Sequence, residues 1–226
     1  MGGPTHADVV LVANQFNPTI LSEHWLVTHG IAPQSADERQ LVQLPGFVAL
    51  KTAEFALEAR ADKVQLTLAE PPTRDATKTA GDVIGAIAGN LPETPYVAMG
   101  FNLWWAGFSK NPDEFVTRSR DMFLKSDSPF APFFDTSDAR FGAYYSNAFD
   151  AFRMRLVVRP IKPDDPALQP LEGLLYQFNF HADLADGNAV ASILDLLGRW
   201  ELVWDESARV FTSTAGWLKD ELQPTG

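Results

Sequence analysis

The chain of 226 residues has no cysteine and is poor in positive charge. Without cysteine it can form no disulfide bond, thiol nucleophile or thiolate metal site. Its 18 lysines and arginines stand against 29 acidic residues, a formal net charge of −11. That balance disfavours a protein that coats nucleic acid through bulk charge. The apolar runs are short and interrupted, far from the roughly 20 residues of a membrane span, so we expect no membrane partner.

Catalytic and targeting motifs are also missing from the sequence. It has no phosphate-binding glycine loop, no Gly-x-Ser-x-Gly elbow and no His-Glu-x-x-His pair. Four histidines leave little for hydrolytic chemistry. No cationic segment precedes an apolar segment of signal length near Met1, which predicts a cytoplasmic protein. We therefore expect a non-enzymatic protein without cofactor or metal, although no single pattern identifies its activity.

The first part of the chain predicts a strand, a helix, three strands and a second helix. Valine-rich residues 8–16 favour a strand, and Asn17-Pro18 favours a helix start directly after it. Residues 33–40 look like loop. From Phe47, apolar and polar residues alternate through 55–60 and 63–68, which predicts a three-stranded antiparallel meander. Residues 80–90 then favour a helix.

The second part repeats this order. A long strand is predicted over 96–108, and Asn111-Pro112 marks a helix start. Three strands follow a proline- and phenylalanine-rich loop, at 140–147, 152–159 and 174–181. A long C-terminal helix from Asn188 through Phe211 keeps helical spacing, with Gly198 as a candidate kink.

The repeated order predicts an α+β fold of two pseudo-duplicated β-α-βββ-α units, 1–93 and 94–226, in one compact domain. Such units would form a curved antiparallel sheet with helices on one face. In topology alone this arrangement resembles the fold of the TATA-binding protein, which implies a saddle-shaped sheet. The chain contains no residue motif of that family, so the resemblance assigns no functional residue.

An arginine-rich segment is the first candidate site. Arg153, Arg155 and Arg159 alternate with Met154, Leu156 and Val158, so the arginines share one face of a strand. With Arg140 on the neighbouring predicted strand and Lys162, five basic residues oppose one acid, Asp150, between 139 and 162. The arginines either form ion pairs with carboxylates on a solvated face or present an anion-binding surface.

Other candidate residues belong to the same predicted face. Gln177, Asn179, His181 and Asp183 alternate with aromatic residues on the last strand. His181 with Asp183 and Asp186 is either a polar strand end, a weak metal site or an acid/base pair. Trp104 and Trp105 must point to opposite faces of their strand, so one is expected on the open face as a stacking platform or interface anchor.

Two further patterns concern packing. Gly81, Gly85 and Gly89 lie on one side of a predicted helix, which favours close helix-on-sheet packing, with a subunit contact as the alternative. The loop around Phe130, Phe133 and Phe134 has three aromatic rings, which favour burial in the core over insertion into a partner.

Together these features predict a binding or assembly protein, a subunit of a larger complex or a homo-oligomer that uses the arginine-bearing sheet face. Nucleic-acid binding by the same face is one alternative. A small-ligand receptor or enzyme with a pocket near His181, Asp183, Tyr144 and Arg155 is another.

Overall fold

The computed structural model describes residues 3–163, 171–185 and 187–218, and these form nine strands and five α-helices. The strands of the first part are β1 (His6–Ala13), β2 (Gln40–Leu44), β3 (Phe47–Lys51), β4 (Phe55–Arg60) and β5 (Lys63–Leu68). Those of the second part are β6 (Tyr96–Ser109), β7 (Ala143–Phe149), β8 (Phe152–Ile161) and β9 (Glu172–Asp183). The helices are α1 (Glu23–Thr28), α2 (Ala76–Asn90), α3 (Pro112–Phe123), α4 (Ala189–Leu197) and α5 (Trp200–Ala215).

All nine strands join in one curved antiparallel sheet, in the order β2-β3-β4-β5-β1-β6-β9-β8-β7. The fold class is therefore α+β, as predicted. β1 and β6 pair directly at the centre, from His6 opposite Trp104 to Ala13 opposite Tyr96. The strands of the two parts of the chain are thus continuous across the middle of the sheet.

The helices cover one face of the sheet and bury its core. Phe101 and Trp105 of β6 meet Trp200 and Phe211, with ring centroids 4.7 and 5.4 Å apart. On β8 the alternation predicted from the sequence is present, since Met154, Leu156 and Val158 are buried in the same core. Apolar burial of this kind is the main favourable term in folding. The other face, called here the open face, carries the residues that alternate with these.

The first part of the chain has four strands between α1 and α2, so the prediction of three was wrong. β2 was missed because it is an edge strand whose residues are mostly exposed, including Val42 and Leu44. Such a strand lacks the one-sided burial that makes period-two patterns visible in a sequence. The start of the first helix also differs, since Asn17 caps a short 3-10 turn at Pro18–Ile20 and α1 begins later, at Glu23.

The single C-terminal helix predicted from Asn188 to Phe211 is two helices, separated at Gly198 and Arg199. Arg199 forms ion pairs with Asp195 in α4 and with Asp150 in the turn between β7 and β8. These contacts hold the break against the sheet. Glycine is a poor helix former, which favours the interruption at this position.

Among the residues that the structure describes, Gly85 is the only one of the three glycines on α2 with a close neighbour. A Cβ atom added there would lie 3.3 Å from Leu194 Cδ2 and 3.8 Å from Leu197 Cδ1, whereas at Gly81 and Gly89 it would meet no atom within 4 Å. The close contact predicted for this stripe is thus made by one glycine, and it faces helix α4 rather than a strand.

Alanine substitutions in α2 should distinguish these glycines. We expect Gly81→Ala to raise the free energy of unfolding by about 0.5–1 kcal/mol, because alanine loses less backbone entropy in a helix. Gly85→Ala should give a smaller gain, because its methyl group would lie 3.3 Å from Leu194 Cδ2 and the leucine side chain must shift by a few tenths of an ångström. Urea denaturation of the two variants measures both values, and an equal gain would contradict the packing role of Gly85.

Candidate binding face

A row of polar side chains crosses the centre of the open face. Asp8 of β1 lies opposite Asn102 of β6, Asn102 opposite Asn179 of β9, and Asn179 opposite Arg155 of β8. Because directly opposed residues lie on the same side of an antiparallel sheet, these four side chains share the open face.

Asp8 is the buried end of this row, with 3 % of its surface exposed. Its carboxylate lies 2.7 Å from Nε2 of His6 and accepts hydrogen bonds from Asn102 Nδ2 at 2.7 Å and Gln65 Nε2 at 3.3 Å. A buried carboxylate is tolerated only when its oxygens are hydrogen-bonded in this way. Asp8 therefore holds three side chains of three different strands in place.

The carboxylate also sets the orientation of the two asparagines. Asn102 donates through its NH₂ group to Asp8, so its amide oxygen is turned to the other side. That oxygen accepts a hydrogen bond from Asn179 Nδ2 at 2.9 Å. Arg155 of β8 lies directly opposite Asn179 in the sheet register.

Arg153, Arg155 and Arg159, called here the arginine strip, are exposed on the open face. Arg153 Nε donates to the Ser146 hydroxyl at 2.8 Å, and Arg159 Nε donates to Gln177 Oε1 at 3.2 Å. Within the described ranges none of the three forms an ion pair with a carboxylate. The interpretation that carboxylates neutralise these arginines is therefore not supported for this part of the chain.

Arg140 lies apart from the arginine strip. It precedes β7, which begins at Ala143, so the prediction of a strand from residue 140 was wrong. Its guanidinium lies 2.5 Å from the carboxylate of Glu172, which is buried and also lies 3.6 Å from Lys162 Nζ. Strand alternation places Glu172 on the same side as Tyr176, the helix-covered side. Arg140 and Lys162 thus have a carboxylate partner, and the strip has none among the described residues.

The two tryptophans separate as predicted. Trp105 is buried under α5, where its Nε1 donates to the Ser207 hydroxyl at 3.1 Å. Trp104 lies on the open face beside Gln177, and its ring packs against His6 with centroids 4.5 Å apart. The open face therefore offers an aromatic surface next to the polar row.

His181 and Asp183 lie at the end of the same face, with His181 Nε2 3.2 Å from Asp183 Oδ1. The Asp183 side chain is 91 % exposed, and Asp186 falls outside the described residues. Among the described residues no group of three or more His, Asp or Glu side chains is placed to hold a metal ion. The predicted pocket was placed near His181, Asp183, Tyr144 and Arg155. Five of the cavities that the described residues form have volumes of 410–660 Å³; one of these five is lined by Asp183, and none of the five is lined by His181, Tyr144 or Arg155.

The phenylalanine-rich loop is exposed. Phe130, Phe133 and Phe134 have 63, 79 and 50 % of their surfaces accessible. The expectation that these rings fill the core was wrong, since the loop forms a 3-10 turn at Ala131–Phe133 that has no buried residue. Their insertion into a partner stays a prediction.

The centre of the open face was not predicted from the sequence; it consists of Asp8, His6, Gln65 and Asn102. One signal was present: a carboxylate, Asp8, inside a valine-rich strand is expensive to bury without partners. A second was the tripeptide His-Ala-Asp, which occurs at 6–8 and again at 181–183.

No helix in the described part of the chain is long and apolar enough to cross a membrane. No protein-family model matches this chain, and no curated protein matches its sequence.

Proposed function

We propose that this chain is a non-enzymatic binding or assembly protein whose open sheet face receives an anionic surface of a protein partner or of a second copy. The observation that carries this proposal is the arginine strip, because its three exposed guanidinium groups meet no carboxylate among the described residues. A positive patch on a chain of net charge −11 is complementary to acidic protein surfaces, including those of its own copies.

The rest of the face supports docking of a protein rather than a reaction. Asn102 donates a hydrogen bond to Asp8, and Asn179 donates one to Asn102, so these polar side chains are fixed in position. Side chains that are already fixed lose little entropy on binding, so this polar surface favours binding of a partner. The exposed phenylalanines at 130–134 add a second contact on a separate surface, since apolar rings of this size favour burial in an interface.

Single-stranded nucleic acid is the second candidate partner, and one observation favours it. Trp104, packed on His6, lies on the same face as the arginine strip, an arrangement that lets bases stack while phosphates meet arginine. The net charge opposes this candidate, because phosphates are repelled by the rest of the chain.

Charge reversal in the strip tests both candidates. We expect Arg153→Glu combined with Arg155→Glu to reduce self-association or partner recovery at least ~10-fold, because attraction becomes like-charge repulsion at two contacts. The matched control is Arg118→Glu with Arg209→Glu, which changes the net charge equally but alters exposed residues of α3 and α5. Sedimentation velocity of the purified chains measures self-association, and quantitative co-purification from the source cells measures the partner.

The outcomes separate the candidates. Retention of a single-stranded oligonucleotide on a filter at about 50 mM salt, lost in the strip variant alone, would favour nucleic acid over protein. A wild-type chain that sediments as a monomer, recovers no partner and retains no oligonucleotide contradicts the proposal, as do equal losses in the strip and control variants.

We also infer that the two parts of the chain arose by internal duplication, in a saddle-like topology, and that the protein acts in the cytoplasm. The strand order supports the duplication, because β5-β4-β3-β2 extends outward from β1 while β9-β8-β7 extends outward from β6. The absence of cysteine is compatible with a reducing compartment.

A further inference from the structure

Strand β7 ends the sheet next to the arginine strip, and its outer side has no neighbouring strand. In the part of the chain that the structure describes, no backbone hydrogen bond joins this outer side to another segment. β7 contains neither a charged residue nor a proline, the features that usually prevent pairing at a sheet edge. Tyr144 and Tyr145 are 63 and 52 % exposed. The outward N–H and C=O groups of β7 are therefore available to a further strand.

Only small side chains separate this free edge from two of the arginines. In the sheet register Arg155 lies opposite Ser146, and Arg153 lies opposite Ala148. Arg153 Nε donates to the Ser146 hydroxyl at 2.8 Å, so its guanidinium leans over β7 toward the edge. Adjacent strands lie about 4.8 Å apart, so a strand added beside β7 would lie about 10 Å from β8. Arginine and glutamate side chains can meet across that gap because serine and alanine leave it open.

The third arginine of the strip leans away from the edge. The pairing of β7 with β8 ends where Ala143 lies opposite Val158, so no residue of β7 is opposite Arg159. Arg159 Nε donates instead to Gln177 Oε1 of β9, at 3.2 Å. Arg153 and Arg159 therefore have the same charge on the same strand but differ in their distance from the free edge.

The helix-covered side of β7 offers a different chemistry. A recess of about 420 Å³ lies there, lined by Tyr145 and Asn147 of β7 and by Met122, Phe123 and Val210 of helices α3 and α5. Its lining is mostly apolar and contains no charged residue. Successive side chains of an added strand would point alternately to the open face and to this side. Apolar side chains therefore fit one face of such a strand, and acidic side chains fit the other.

We propose that the outer side of β7 pairs with an extended acidic segment of the partner protein, which adds a strand to the sheet. Carboxylates at every second position of that segment bind Arg153 and Arg155, and apolar side chains between them pack beside Tyr145. This inference rests on the proposed function, because it specifies the segment that the arginine strip receives. Charge complementarity selects the occupant, since a second copy pairing through its own β7 would bring two arginine strips together.

A synthetic peptide of four Glu-Val repeats tests the pairing. We expect it to bind the full chain and to slow hydrogen exchange of outward β7 amides, because these amides become hydrogen-bonded. A peptide with the same composition but with its glutamates and valines in two blocks should bind at least ~10-fold more weakly, as should four Lys-Val repeats. Fluorescence anisotropy of the labelled peptides measures affinity, and exchange followed by NMR locates the strand.

The opposite edge strand, β2, provides an internal control for unspecific edge pairing. Near β2 the open face carries Arg60, whose guanidinium already lies 3.4 Å from the Glu58 carboxylate. The Glu-Val peptide should therefore leave hydrogen exchange in β2 unchanged at the concentration that protects β7.

Two single substitutions separate strand addition from a general attraction to positive charge. Arg153→Ala should weaken the Glu-Val peptide about 10-fold, because a charge-assisted hydrogen bond at the edge is lost. Arg159→Ala is the matched control, since it removes the same charge from a side chain that leans toward β9, and it should weaken binding less than about 3-fold.

The inference is overturned if the Glu-Val peptide does not bind or binds without slowing exchange in β7. Equal protection of β2, equal binding of the block peptide or equal effects of Arg153→Ala and Arg159→Ala would overturn it too. The proposed function survives each of these results as long as charge reversal of Arg153 and Arg155 still reduces partner recovery or self-association. If that double variant has no effect either, the proposed function fails as well.

Discussion

Replacing Trp105 by alanine should lower the free energy of unfolding by about 3–5 kcal/mol, the usual cost of removing a large aromatic side chain from a core. Trp105 is 5 % exposed and packs against Trp204 and Phe211 of α5. Its loss also leaves the Ser207 hydroxyl, which is buried, without the Nε1 donor. Urea denaturation followed by circular dichroism measures the change.

The adjacent Trp104 provides the control, since it has the same side chain on the other face. Trp104→Ala should cost about 1 kcal/mol, because it removes a partly exposed, tilted ring contact with His6 and leaves no core cavity. Equal losses for the two variants would contradict the expectation that the stability cost follows the burial of Trp105 in the helix-covered core.

Asp8→Ala should lower the free energy of unfolding by about 3 kcal/mol, although Asp8 lies on the open face. The substitution removes the acceptor of Asn102 and Gln65 and the partner of His6 at a position that water barely reaches. Buried donors without an acceptor have lost their hydrogen bonds to water and form none in the protein, which destabilises the folded state. The same denaturation experiment measures this loss.

Asp183→Ala is the matched control for Asp8, because both aspartates end a His-Ala-Asp sequence and both lie near a histidine. The Asp183 side chain is 91 % exposed, so its removal should change stability by no more than about 0.5 kcal/mol. If Asp183→Ala were as destabilising as Asp8→Ala, burial would not be the cause of the expected difference.

The parts of this fold that could be predicted are those with a strong local period. On β8 the buried residues from Phe152 to Val158 are apolar at every second position, and Val157 is the one apolar residue on the exposed side between them. This alternation was enough to predict which face of the strand bears the arginines. The adjacent pair Trp104 and Trp105 separated for the same reason, since neighbouring residues on a strand must point to opposite faces. In both cases the decisive contacts lie within one strand.

The centre of the open face could not be predicted because its contacts join distant parts of the chain. Asp8 bonds to Gln65, 57 residues away, and to Asn102, 94 residues away. Those pairs depend on the register of β1 against β5 and β6, which strand alternation alone does not specify. The ion pair between Arg140 and Glu172 could not be predicted for the same reason, because the two residues lie 32 positions apart in the chain.

The central position of β1 has a consequence for biosynthesis. One neighbour of β1, β5, is synthesised after β2, β3 and β4, and the other, β6, follows only after α2. During translation one side of β1 therefore exposes unsatisfied backbone groups beside Ala7, Val9 and Leu11, which become fully buried. An unfinished sheet margin of this kind invites pairing with other nascent chains, so we expect the yield of folded protein to depend on chaperones more strongly than its final stability suggests.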